Sequence, residues 1–192
     1  MLRLALCTAI ACLLSLSAQA QQYEGKTANL MSIVTVKAKD SSKPITVKSS
    51  TFKPGAMIPK DNSAYGANKS PQLSWSGAPK GVVSYVLIFQ DPDVAGDKPL
   101  THWIVGNIAP SITSLAEGAA APKGVFQGGA HGNAYAGPHP PSGLHHYYFE
   151  VFALDTKLDL KDGVKANEIE GAMTEHVLAS GALEGVYQGP GQ

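Results

Sequence analysis

Gly137-Pro138-His139-Pro140-Pro141-Ser142-Gly143-Leu144-His145-His146-Tyr147, continuing as Tyr148-Phe149-Glu150-Val151-Phe152-Ala153-Leu154, is the stretch from which the rest of the chain can be read. Its first eleven residues hold three prolines, two glycines, three histidines and a tyrosine. Prolines lock φ and remove backbone donors, and glycines let backbones approach closely. Such a run is neither a helix interior nor a central strand. It reads as a stiff loop that delivers His145 and Tyr147 to one place, and the residues after it read as a buried strand. A rigid loop that feeds polar side chains onto a strand end is how a preformed small-ligand pocket is built.

A second cluster lies upstream. The apolar run Tyr85-Val86-Leu87-Ile88-Phe89 leads into Asp91-Pro92-Asp93, so two carboxylates sit where a core strand ends. His102-Trp103 then opens another apolar run, Ile104-Val105-Gly106-Asn107-Ile108. Two strands joined by so short a loop pair side by side, which puts Asp91 and His102 at the same end of the sheet.

The ends of the chain bound where it works. Arg3, the apolar run from Leu4 to Leu16 and the small-x-small triplet Ala18-Gln19-Ala20 have the order of a secretory signal. Residues 1–20 are therefore expected to be removed, leaving an exported protein, periplasmic or secreted, that starts near Gln21. The apolar run is too short for a spanning helix, so no integral membrane segment is expected in the mature chain. Cys12 offers a lipoprotein alternative, but Ala9-Ile10-Ala11-Cys12 is a poor lipid-attachment site. Cys7 and Cys12, the two cysteines, leave with the signal, so neither a disulfide nor a catalytic thiol is expected. Arg3 is the sole arginine and the formal net charge is +0 at pH 7, which argues against nucleic-acid binding. Any phosphate site must then use Lys, His, Tyr, Ser or backbone N–H groups.

Residues 21–43 read as a polar leader or an added edge strand, and 44–190 as one domain. Strands are expected over 45–53, 72–76 (carrying Trp75 inward), 83–90, 102–108 and 146–154. Residues 54–70 read as a polar loop, and 109–138 as a small-residue loop around a pocket rim. Asn167 starts a helix with Glu170 in the capping-box position, Ile169, Ala172, Met173, His176 and Val177 follow helical spacing, and Gly181 is the stop. Residues 183–188 return as a last strand. Many short strands with few helices give a mainly β fold. No Rossmann or Walker pattern occurs.

The ordered set Asp91-Pro92-Asp93, His102-Trp103 and Gly137-Pro138-His139-Pro140-Pro141-Ser142-Gly143-Leu144-His145-His146-Tyr147 resembles the phosphatidylethanolamine-binding protein family, in its bacterial Raf-kinase-inhibitor-like branch. The resemblance runs from about Ile45 to Gln188 and includes Ser70-Pro71-Gln72-Leu73-Ser74-Trp75 and Ala172-Met173-Thr174-Glu175-His176-Val177-Leu178. It implies an antiparallel β-sandwich-like domain, a large sheet plus a smaller one, with peripheral short helices and a C-terminal helix. It also implies an anion pocket lined by Asp91, His102, His145 and Tyr147, walled by Pro140 and Pro141 and rimmed by Gly137. Asp93 either caps its turn or touches ligand. The chain departs from the family pattern at Val94-Ala95, where Ala-Pro is usual, at His146, where Arg is usual, and in its irregular rim Gly128–Asn133.

In such a pocket a carboxylate beside two histidines is expected to raise their pKa and favour the anion-binding imidazolium. His131 and His139 read as loop residues. Strand alternation points His146 outward, away from His145 and Tyr147, and His176 packs on the helix. The function expected is binding of a small phosphorylated or anionic ligand, phosphate or a phospholipid head group. The alternatives are an inhibitor or regulator of a hydrolase partner, and a weak metal-dependent or acid–base hydrolase. Neither closely spaced metal-ligand histidines nor a nucleophile elbow is present. No catalytic residue, metal or cofactor is therefore assigned, and the chain is not expected to be an enzyme.

Overall fold

The computed structural model describes Ala38, Lys39, residues 44–96 and residues 98–191; the expected signal segment 1–20 and most of the leader 21–43 lie outside the described residues. The elements run β1 (Thr46–Lys48), a 3-10 turn (Lys60–Asn62), β2 (Leu73–Ser76), β3 (Ser84–Asp91), β4 (Leu100–Ile108), β5 (Ser114–Leu115), β6 (Phe126–Gly128), β7 (Leu144–Leu154), α1 (Ala166–Met173) and β8 (Val177–Gln188). They form two antiparallel sheets, β1-β2-β5 and β6-β4-β3-β7-β8. The mainly β, two-sheet fold expected from the sequence is the one observed.

The core lies between the sheets. Val47, Leu73, Trp75 and Leu115 of the small sheet meet Tyr85, Leu87, Phe89, Trp103, Val105, Phe149, Val151 and Leu183 of the large one. Phe89 and Phe149 stack at 4.1 Å, and Trp75 meets Tyr85 edge-on at 5.6 Å. Alternation places Val86, Ile88, Tyr148, Glu150 and Phe152 on the opposite face of the large sheet, and they are buried too. The connection from β7 to β8 supplies the cover, with Leu158, Val164, Ile169 and Met173 buried and Glu170 of α1 close enough to act on Glu150. Burial on both faces explains why β3 and β7 read as unbroken apolar runs rather than alternating ones.

Three readings are corrected. Ala109–Pro138 is not all loop: β5 completes the small sheet and β6 edges the large one. Small residues hid both, since two or three residues carry no readable period. α1 begins at Ala166, with the Glu168 carboxylate accepting from Lys165 N at 2.8 Å, so its cap lies two residues before the expected one at Asn167. The helix is over by Thr174, and the positive φ of 65° falls on Glu175, six residues before the expected stop at Gly181. Gly181 instead lies within β8, where a Cβ would sit 1.7 Å from the Ile45 carbonyl oxygen as that segment crosses over. The outer edge of β8 is covered in pieces, by Lys39 N to Val177 O (2.8 Å), Ile45 N to Ser180 O (2.9 Å) and Ile58 N to Val186 O (2.8 Å). Such cover removes an open template for edge-to-edge pairing.

Candidate functional site

Asp91 is the last residue of β3, and Leu100 lies opposite it in β4. The pairing runs Phe89 with Trp103 and then Gln90 with Thr101, so His102 is the extra residue of a β-bulge. A bulge re-aims side chains. Strict alternation would send His102 to the face away from Trp103. Instead its ring lies 5.3 Å from Phe89 and 5.6 Å from Tyr147, both on the inter-sheet face. On β7, His145 and Tyr147 share that face, with ring centroids 6.5 Å apart. His145 Nδ1 meets Asp91 Oδ2 at 2.8 Å, while Asp91 Oδ1 accepts from Asp93 N at 2.8 Å. The structure thus brings Asp91, His102, His145 and Tyr147 together.

The proline loop is held against residues 62–68. Asn68 Oδ1 accepts from Gly137 N (2.8 Å), Pro138 O from Ala64 N (3.0 Å), Pro140 O from the Tyr65 hydroxyl (2.8 Å) and Asn62 O from the Tyr135 hydroxyl (2.7 Å). Only glycine fits at 137, where a Cβ would stand 2.4 Å from the Asn62 carbonyl oxygen. Gly137 and Pro140 are buried, whereas Pro141 is exposed and its carbonyl lies against Gly191 of the C-terminal tail.

The electrostatics differ from the expectation at His102. Burial pushes its imidazole down to about 4, outweighing the upward pull of the Ala136 carbonyl and of Asp91. The neighbouring His131 and His139 push the same way as burial. His102 is therefore neutral at physiological pH, with Nδ1 3.0 Å from Ala136 O and donating to it. Nε2 is buried and has no hydrogen-bond partner; the buried Tyr147 hydroxyl makes no hydrogen bond of regular geometry, although the Asp91 carboxylate and the backbone at His139 lie close enough to act on it. Burial first, and the Asp91 charge second, keep the Tyr147 phenol far above its ordinary pKa and so protonated.

Asp93 and His146 occupy the other face. Asp93 Oδ2 accepts from His146 N (2.8 Å) and meets His146 Nδ1 (2.6 Å), and Glu184 Oε1 lies 4.0 Å from Nε2. The alternation that separates His146 from His145 is right. Its outward exposure is corrected, because His146 is buried beside Asp93 and Glu184. His176 pairs with Asp155 at 2.8 Å.

Several site residues escaped the sequence reading. The His131 ring lies 5.5 Å from His102, and His139 lies 4.4 Å from Tyr65, which itself stacks on Tyr187 at 6.0 Å. Tyr135 stacks on Phe89 at 5.4 Å. The one signal for Tyr65 and Tyr135 was an aromatic residue inside an otherwise small and polar loop.

Comparison with known proteins agrees with this arrangement. The sequence profile described as Phosphatidylethanolamine-binding protein matches residues 48–188. A UPF0098 protein of Methanothermobacter thermautotrophicus is 41% identical over 152 residues, 75% of this chain and 99% of that protein. LppC of Mycobacterium tuberculosis, which carries a lipoprotein name, is 36% identical over 154 residues, 78% of this chain and 75% of that protein. Among solved structures, a phosphatidylethanolamine-binding protein homologue of Chlamydia trachomatis superposes with a TM-score of 0.71 at 38% identity, covering 77% of this chain and 99% of that one. E. coli YbcL, described as a member of the mammalian family, superposes with a TM-score of 0.70 at 29% identity over 75% and 98% of the two chains. With its profile, its relatives and its two-sheet fold in agreement, this chain belongs to the phosphatidylethanolamine-binding protein family.

Proposed function

We propose that the protein binds a small phosphate-bearing ligand, free phosphate or a phospholipid head group, in the pocket of Asp91, His102, His145 and Tyr147. One observation carries this reading. The buried His102 Nε2 has no hydrogen-bond partner and the buried Tyr147 hydroxyl none of regular geometry, on rings 5.6 Å apart, beside a carboxylate–imidazole pair. A buried polar group left unsatisfied costs about 1–3 kcal/mol, and two neighbouring ones point to a ligand that satisfies both. Gly137 and Pro140 shape the wall, while Asp93 serves the back face and not the ligand. The role is binding rather than catalysis. Export is part of the proposal: it rests on residues 1–20, and the lipoprotein name of LppC supports it. Among the described residues no helix is long and apolar enough to cross a membrane.

Titration calorimetry with phosphate is the test. His145→Ala should weaken binding about tenfold or more, as expected for loss of a polar contact to a charged group, while His146→Ala should leave it unchanged. Equal behaviour of the two variants would sink the proposal.

A further inference from the structure

We propose that the pocket selects an oxyanion that still carries a proton, such as the monoanion of phosphate, a phosphonate or a phosphomonoester, over sulfate and phosphodiesters. This rests on the phosphate reading above, narrows it to free phosphate and monoester head groups rather than the diester of an intact phospholipid, and follows from counting donors against acceptors. The Ala136 carbonyl can only accept, so His102 Nδ1 holds the ring's hydrogen and Nε2 presents a lone pair. Asp91 presents a carboxylate whose Oδ2 already takes the His145 Nδ1 hydrogen. The Tyr147 hydroxyl, which makes no hydrogen bond of regular geometry although Asp91 lies near, is then the hydrogen that the buried part of the site offers a ligand. A fully deprotonated oxyanion would set its lone pairs against those of Nε2 and against the Asp91 charge. A P–OH removes the conflict: it donates to Nε2, and a second phosphate oxygen accepts from Tyr147.

Taking a dianion instead would require a proton on His102. Its burial opposes that, and His131 and His139 of the loop between β6 and β7 add to the opposition, while Asp91 of β3 and the Ala136 carbonyl act the other way. Tyr147 of β7 is itself protonated. The orphaned atoms are closed to water, so a ligand reaches them by shifting the rim, where His131 is exposed and 5.5 Å from His102. Exposed His131 and His139 stand at the same rim, so pH dependence alone does not discriminate. The identity of the ligand does.

The experiment is titration calorimetry of the protein with inorganic phosphate, methylphosphonate, sulfate and dimethyl phosphate across a range of about pH 5 to 8, which brackets second phosphate ionisations. Phosphate and methylphosphonate should bind about tenfold or more tightly than sulfate and dimethyl phosphate, the worth of one hydrogen bond to a charged group. The pH midpoint should shift with the ligand, lying higher for the more basic methylphosphonate. The nitrogen NMR shift of His102 Nε2 in the phosphate complex should remain that of an unprotonated ring nitrogen. The inference is overturned if sulfate binds as well as phosphate, if all ligands share one midpoint, or if Nε2 gains a proton on binding. If none of the four binds, the phosphate reading falls as well.

Discussion

His145 and His146 are neighbours in sequence, and each takes a carboxylate from the same Asp-Pro-Asp triplet, yet the two pairs are built for different ends. On the back face Asp93 holds both the backbone N–H and the ring of His146, at 2.8 and 2.6 Å, with Glu184 beyond. On the front face Asp91 holds the ring of His145 alone, and the neighbouring His102 Nε2 and Tyr147 hydroxyl are left unmatched. A pair tied through side chain and backbone fastens β7 to the end of β3. A cluster left short of partners at its centre is the arrangement on which the proposed ligand site rests.

Breaking the two pairs in turn is the strongest test of that contrast. His146→Ala would take the imidazole from between Asp93 and Glu184 while leaving Asp93 the His146 N–H, and should cost about 2–3 kcal/mol in denaturant unfolding. His145→Ala should cost about half as much or less, with Asp91 Oδ1 still accepting from Asp93 N. Equal losses would mean that both faces are structural.

The back face should also govern how stability depends on pH. Burial raises the Glu150 carboxyl to about 8 from an ordinary 4.5, against the opposing hydrogen bond from Gln90. Between those values the folded state holds a proton that the unfolded state has released. This contribution is therefore complete below about pH 4.5 and is lost as pH rises through about 8. Glu150→Gln should add about 2 kcal/mol of stability at the alkaline end of that window and almost none at the acid end. Thermal melts at both ends check this, and a gain independent of pH would contradict it.

The smallest expected effect on stability separates the faces most sharply. Tyr147→Phe removes a buried hydroxyl that makes no hydrogen bond of regular geometry, so stability should stay constant or rise by up to about 1 kcal/mol. The same change should weaken phosphate binding about tenfold. A stability loss of several kcal/mol would show that the hydroxyl is satisfied within the fold.

Much of this was legible beforehand. The end of β3 at Asp91, the start of β7 at the proline loop and the meeting of Asp91 with His145 follow from apolar runs punctuated by Pro and Gly. His102 was placed at the correct sheet end, but the bulge that turns it inward was not readable, because a bulge is a mismatch between two strands and leaves no period in either. Its lowered pKa was missed for a related reason. Asp91 is visible in the sequence and pulls upward, whereas the burial that prevails comes from Phe89, Tyr147 and the loop through His131 and His139. His146 was aimed correctly by alternation and misjudged in exposure, since the cover over its face arrives from residues after the strand.

The proline loop is fastened from far along the chain in both directions, by Asn68, Ala64 and Tyr65 on one side and by Gly189, whose N–H reaches Gly143 O at 2.8 Å, on the other. Contacts so distant in sequence are among the last to be rewarded as a chain folds, because the intervening loops must close first. The proposed site is thus expected to be a late product of folding. A ligand that binds it reports that both distant segments have docked, and a partly folded chain with its large sheet in place would still fail to bind.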